Sequence, residues 1–137
     1  MITAVDTNVL LDIFSADPTY GGQSKAVLRS AIAQGSLIAC EVVWAEIASV
    51  FPSSSQAQEA LTTLGVQFST IERNVALQAG VFWKQYQKRG GARMRIVADF
   101  LIAAHALTSA DCLLTRDRGF YRKYFSKLDI VDPTFSS

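Results

Sequence analysis

The sequence predicts an α/β protein built on a parallel sheet, and three observations carry that expectation. Short apolar runs rich in β-branched residues alternate with longer segments of helical period. No internal repeat or low-complexity linker interrupts the alternation. The length, 137 residues, matches one domain with one full core, so residues 1–137 are expected to form a single domain.

The elements follow in order. Residues 2–5 (ITAV) read as a first strand, and the apolar segment beyond Asp6 and Thr7 as a helix over 8–14. A helical pattern spans 22–34, followed by a strand at 37–40 (LIAC) and a helix at 42–51. Pro52 stops that helix, a serine after it offers an N-cap for 55–64, and Gly65 supplies the C-cap. A strand at 66–69 (VQFS) precedes a long helix at 73–89. In the stretch KRGGARMR, Gly90 and Gly91 break the helix among four basic side chains, which predicts a flexible loop. That loop reads either as a solvated turn or as a rim facing a substrate. A helix at 96–108 leads to strands at 112–115 (CLLT) and 128–131 (LDIV). Between these two strands, Phe120, Tyr121, Tyr124 and Phe125 interleave with Arg122 and Lys123. Aromatics at such spacing favour core packing of the turn over stacking on bases.

Composition narrows the class. Half the residues are hydrophobic and 18% are charged, which argues against disorder and leaves more apolar surface than a lone monomer hides. An oligomer or a permanent partner is expected. The net charge of +1 conceals an asymmetry: residues 1–83 carry three bases against seven acids, and residues 84–127 carry ten against three. The basic half suits a polyanion, although a solvated charged face has the same signature. Cys40 and Cys112 lie far apart, without CxxC spacing and with a single histidine in the chain, which excludes a zinc site and predicts free buried thiols. Asp6 and Asp12 interrupt what would be a signal-peptide core, and no stretch reaches the ~20 apolar residues of a membrane span, so a cytoplasmic location is expected.

The carboxylates are harder to explain by structure alone. Asp6 follows the first strand and Asp117 follows the fourth, at the strand ends where open α/β sheets place their sites. Asp99 falls in the first turn of an apolar helix, and Glu46 is the only charge within a helix otherwise apolar from Val42 to Phe51. Singly, each has an ordinary account as a helix cap, a dipole partner or a snorkelling side chain. Brought to one edge they would repel, by ~4 kcal/mol for a pair ~4 Å apart at an effective dielectric of 20. A divalent cation relieves that repulsion, and all-oxygen ligands favour Mg²⁺ or Mn²⁺. His105 stands six residues beyond Asp99, about 240° around an α-helix, and is expected to face elsewhere.

Four segments in this order, DTNVLLDIF, Glu46, VADFLIAAHAL and LLTRDRGFYRKYFSKLDIVDP, resemble the PIN domain family, and within it the VapC-type ribonuclease toxins of toxin–antitoxin pairs. The resemblance spans essentially the whole chain. It implies a three-layer α/β/α fold with a five-stranded parallel sheet in the order 3-2-1-4-5, and metal-dependent cleavage of RNA. It carries over to Asp6, Glu46, Asp99 and Asp117 as an acidic quartet holding one metal ion or a pair, with Asn8 and Thr115 as polar support. Arg93, Arg95, Arg116 and Arg118 are candidates for gripping the RNA backbone. A VapB-type antitoxin and a homodimer are the implied partners. Rival readings are a PIN nuclease of RNA processing and a PIN-fold binding module without catalysis. A receiver domain or aspartate-dependent phosphatase fits less well, since LDIVDP supplies no lysine after the last strand.

Overall fold

The computed structural model describes residues 1–90 and 96–135. They form β1 (Ile2–Val5), α1 (Thr7–Phe14), α2 (Gly21–Gln34), β2 (Ser36–Ala39), α3 (Glu41–Ala48) and α4 (Ser54–Leu64). Then come β3 (Val66–Phe68), α5 (Arg73–Lys88), α6 (Val97–Ser109), β4 (Cys112–Leu114), α7 (Arg118–Tyr124) and β5 (Ile130–Val131). All neighbouring strands pair in parallel, in the order β3-β2-β1-β4-β5, as the resemblance implied.

The topology follows from handedness. From β1 to β2 to β3 the chain steps in one direction across the sheet, and from β3 it crosses back to β4. Parallel crossovers are right-handed, so this reversal puts α5, α6 and α7 on the face opposite α1, α2 and α4. α3 packs against α1 and α4 and also reaches α6. The switch point lies between β1 and β4, whose register pairs Val5 with Leu114. The ladder continues one step further, with the Asp6 amide donating to the Leu114 carbonyl at 2.9 Å. The residues just past both strands are thereby fixed beside each other.

The core is apolar on both sides of the sheet. β4 is buried at every position, as befits a central strand covered on both faces. On the face of α5 to α7, the rings of Tyr86, Phe100, Phe120 and Phe125 meet in edge-to-face and tilted pairs at 5.4–6.2 Å. Cys40 and Cys112 are both buried free thiols.

Most elements shift by a residue or two, and the larger differences from expectation have local causes. The second strand and third helix each begin one residue early, because Cys40 leaves the strand and takes the N-cap position of α3. The third helix ends at Ala48 rather than near Pro52, three residues before the proline-disfavoured position. The aromatic stretch expected to be a turn is helix α7, whose seven residues are held by burying Phe120 and Tyr121. Among the described residues no helix is long and apolar enough to cross a membrane.

Candidate active site

Asp6 stands one residue past β1 with only 6% of its surface exposed. Its backbone is extended, and its Oδ1 accepts the Thr7 amide at 2.7 Å, so it does cap α1. The cap uses one oxygen. Oδ2 accepts from the Thr115 hydroxyl at 2.8 Å, the Tyr121 hydroxyl at 3.2 Å and the Asn8 amide at 3.4 Å. Burial raises the Asp6 pKa to about 6, against the lowering effect of the Thr115, Thr7 and Tyr121 hydrogen bonds, and the charge of Asp99 adds to the rise.

The supporting residues bind one another as well. Thr115, fully buried after β4, accepts from the Asn8 amide at 3.3 Å and from the Asp117 backbone amide at 3.0 Å. One hydroxyl thus donates to Asp6 and receives two donors, its full capacity. Asn8 and Thr115 therefore both lie against Asp6.

The other three acids reach the same end of the sheet by different routes. Asp99 sits in the first turn of α6, half-buried, where its Oδ2 accepts the Ile96 amide at 3.3 Å. Half-buried Asp117 occupies the N-cap position of α7 without a side-chain capping bond. Burial, and then the charges of Asp6, Asp99 and Asp117 among other causes, hold the Tyr121 phenol well above its usual pKa, so it remains a neutral donor to Asp6. Glu46 lies exposed on α3 and joins through Thr7, whose hydroxyl donates to its Oε1 at 2.7 Å.

Tyr121 and Thr7 escaped the sequence reading. Tyr121 was counted among core aromatics, and it is 1% exposed, but its hydroxyl belongs to the site. The available signal was its spacing of four residues from Asp117, one helical turn. Thr7 links two acids from a position adjacent to one of them, which sequence order alone does not distinguish from an ordinary helix start.

The arginines divide. Arg93 and Arg95 lie outside the described residues. Arg116 engages protein groups: its Nε and Nη2 donate to the two carboxylate oxygens of Asp12 at 2.6 and 3.0 Å, and its guanidinium lies 4.1 Å from the Tyr20 ring centroid. Arg118 stands over the Phe135 ring at 3.3 Å, beside Asp117. His105 is buried with its Nε2 2.9 Å from the Ser69 hydroxyl, and burial lowers its pKa while Glu41 opposes the shift.

A divalent cation suits this donor set. A buried carboxylate with raised proton affinity, within the field of another acid, gains from a neighbouring positive charge. Among the described residues no three His, Cys, Asp or Glu side chains gather closely enough to enclose an ion by themselves. Mg²⁺ is content with one or two carboxylates and takes its remaining oxygens from water and phosphate.

Comparison with known proteins agrees with this architecture. A family model described as PIN domain matches residues 3–126. The fold is similar to VapBC2 from Rickettsia felis bound to a DNA fragment from their promoter, at 20% identity and a TM-score of 0.75, covering 96% of this chain and 98% of that one. It is similar to VapBC-1 from nontypeable Haemophilus influenzae, at 22% identity and a TM-score of 0.74, covering 98% and 100%. A toxin–antitoxin complex from Klebsiella pneumoniae matches at 20% identity and a TM-score of 0.67, covering 96% and 97%. No curated protein sequence matches the chain.

Proposed function

The chain belongs to the PIN domain family, and from that membership we propose that it is a Mg²⁺- or Mn²⁺-dependent endoribonuclease acting as the toxin of a VapBC-type pair. The observation that carries the reading is the buried Asp6 carboxylate, held by four donors at the switch point, with Asp99 close enough to raise its proton affinity. Asp6 and Asp99 would hold the cation, with Asp117 and Glu46 as the further acids at the same sheet edge. When bound, the cation supplies Lewis acidity toward the scissile phosphate and an activated water.

The protein's own groups do the rest. Thr115, Tyr121 and Asn8 fill Oδ2 of Asp6, whereas Oδ1 meets only the Thr7 amide among the described residues and is the oxygen better placed for a cation. The neutral Tyr121 hydroxyl keeps that orientation across the working pH range. Arg118, together with Arg93 and Arg95, grips the RNA backbone, giving affinity without sequence choice. The toxin assignment draws its support from the VapBC and toxin–antitoxin complexes that share the fold. A VapB-type antitoxin and a homodimer complete the proposal, in the cytoplasm.

Cleavage of a single-stranded RNA by the purified chain is the test. Activity should require Mg²⁺ or Mn²⁺, and Asp6→Asn or Asp99→Asn should abolish nearly all turnover. His105→Ala, which alters a residue bonded to Ser69, should retain most turnover below its own melting temperature. Full activity in excess chelator would sink the reading. In cells, expression alone should arrest growth; tolerance of abundant active protein would favour a PIN nuclease of RNA processing.

A further inference from the structure

We propose that the Asp12–Arg116 ion pair is a positioning clamp for the acidic site, and that Arg116 serves the cation through it rather than RNA directly. The inference rests on the nuclease reading above. Its basis is one face of α1. Asn8 and Asp12 are four residues apart, one turn, so their side chains leave the helix in the same direction. Together they hold residue 116 at two points: Asn8 Oδ1 accepts the Arg116 backbone amide at 3.2 Å, and the Asp12 carboxylate takes its guanidinium with both oxygens.

The acidic half of the clamp is buried, and the Arg116 side chain, 27% exposed, reaches it from the surface. Asp12 is 4% exposed and also accepts the hydroxyl of the fully buried Ser24 on α2 at 3.0 Å. Tyr20, ahead of α2, covers one face of the guanidinium. The Nε–Nη2 edge, one stacked face and the neutralising charge are thus committed to protein, so a phosphate would meet only the outer N–H groups of a guanidinium already paired. Residue 116 lies between Thr115, which donates to Asp6, and Asp117. Fixing it from both backbone and side chain sets the Thr115 hydroxyl against Asp6 and the Asp117 amide against Thr115. α1 itself begins at the Asp6 cap. One helix therefore carries the first acid at its start and the anchors for the fourth within its first two turns.

The experiment compares the full-length parent with Asp12→Asn, Arg116→Lys, Arg116→Gln and the double variant Asp12→Asn/Arg116→Gln. Three readouts are taken: Mn²⁺ binding to the RNA-free protein, kcat and KM on single-stranded RNA, and the salt dependence of KM. Expected are a several-fold weaker Mn²⁺ affinity and a kcat at least about tenfold lower in Asp12→Asn and Arg116→Gln, with KM and its salt slope like the parent's. Arg116→Lys should recover part of both losses, since it keeps the charge and loses the fork. The double variant should be no worse than the poorer single, because coupled groups fail as a unit. An unchanged Asp12→Asn, with Arg116 variants that raise KM and lower the salt slope by about 1, would make Arg116 a phosphate contact and overturn the clamp. Lower melting temperatures with parental Mn²⁺ affinity and kcat would overturn it too, as a purely structural pair. Should the ion-pair variants not fold, Ser24→Ala, which removes one bond to Asp12, must show smaller losses in the same two quantities; parental values refute the clamp. A parent that binds no Mn²⁺ sinks the nuclease reading and this inference with it, whereas a binding parent with matching variants sinks this inference alone.

Discussion

At Asp6 the cost of burial exceeds what its hydrogen-bond donors return, and the carboxyl pKa rises from 3.8 to about 6. Repulsion from Asp99 contributes least among the causes, so desolvation and not the crowding of acids leads the shift. The folded pKa lies above the unfolded value. Stability linked to Asp6 is therefore complete below pH ~3.8 and lost as pH rises through about 6, to the extent of about 3 kcal/mol for a shift of this size. His105 acts in the opposite sense over a neighbouring range, because burial lowers its pKa and favours the native state once pH exceeds the ordinary histidine value. The comparison that isolates Asp6 is Asp6→Asn against the parent, melted in chelator between pH 4 and pH 7.5. Asparagine brings an NH₂ opposite the Thr7 amide or the hydroxyls, a penalty independent of pH, so the slope is the readout. The variant should gain on the parent as pH rises from 4 to about 6 and hold that gain above it. A difference constant with pH would mean that Asp6 is no more proton-affine than an exposed aspartate. Mg²⁺ should raise the parent's melting temperature by mass action, and that of Asp99→Asn far less.

Elements hold their ends by local chemistry that a sequence displays openly. Ser53 adopts the extended N-cap conformation and its hydroxyl accepts the Gln56 amide at 3.2 Å. Ser53→Ala should cost about 1 kcal/mol, read by chemical denaturation, with activity unaffected because α4 carries none of the acids. Gly65 closes the same helix at φ 92°, a left-handed conformation that a Cβ disfavours by about 1–2 kcal/mol, so Gly65→Ala should be a comparable loss. Gly35 is required for a different reason. A Cβ there would meet the Met1 carbonyl oxygen at 1.8 Å, where the Ser36 amide donates to that same carbonyl. Gly35→Ala should therefore disrupt the approach of β2 to β1 and lower stability by more than the other two. An equal melting temperature for parent and Gly35→Ala would show that the β1–β2 junction relaxes freely.

The whole molecule divides its charge as it divides its labour. Residues 84–127 hold ten of the thirteen Lys and Arg, and that half includes Asp99, Asp117 and the arginines beside them. On the proposed reading, bases clustered along this stretch would draw a polyanion toward acids that otherwise repel it, and such steering weakens with salt. Association with RNA should accordingly slow several-fold between low and physiological ionic strength, measured by stopped-flow; an on-rate independent of salt would remove the basic half from recognition. Apolar residues also remain outside the core, among them Leu77 at 68% and Val81 at 55% exposure, one turn apart on α5. Sedimentation of the purified protein is expected to give twice the 14.9 kDa chain mass, and a monomer at micromolar concentration would refute the homodimer.

How much of this was legible beforehand depends on the range of the forces involved. Alternating periods announced the five strands and the six longer helices, because apolar residues recur every two or every 3.6 positions regardless of what covers them. A serine beyond Pro52, together with Gly65, marked the ends of α4 by local sterics and hydrogen bonding alone. The acids stood out as charges at strand ends and in apolar helices, and resemblance to a family supplied their joint meaning. α7 was hidden, since seven residues rich in aromatics make a helix only when Phe120 and Tyr121 find the core formed by α5 and α6. The Tyr121 hydroxyl on Asp6 spans 115 residues of sequence, and the Arg116 guanidinium on Asp12 spans 104. A tyrosine reads as core and an arginine as surface until the sheet brings β1 and β4 together. The sequence by itself determined the alternation, the sheet-edge carboxylates and the local caps, which depend on neighbours along the chain. Only the tertiary structure decided which oxygen of Asp6 is filled, which arginine pairs with a buried carboxylate, and which ring's hydroxyl reaches Asp6, because those choices depend on burial and on partners brought together across the sheet.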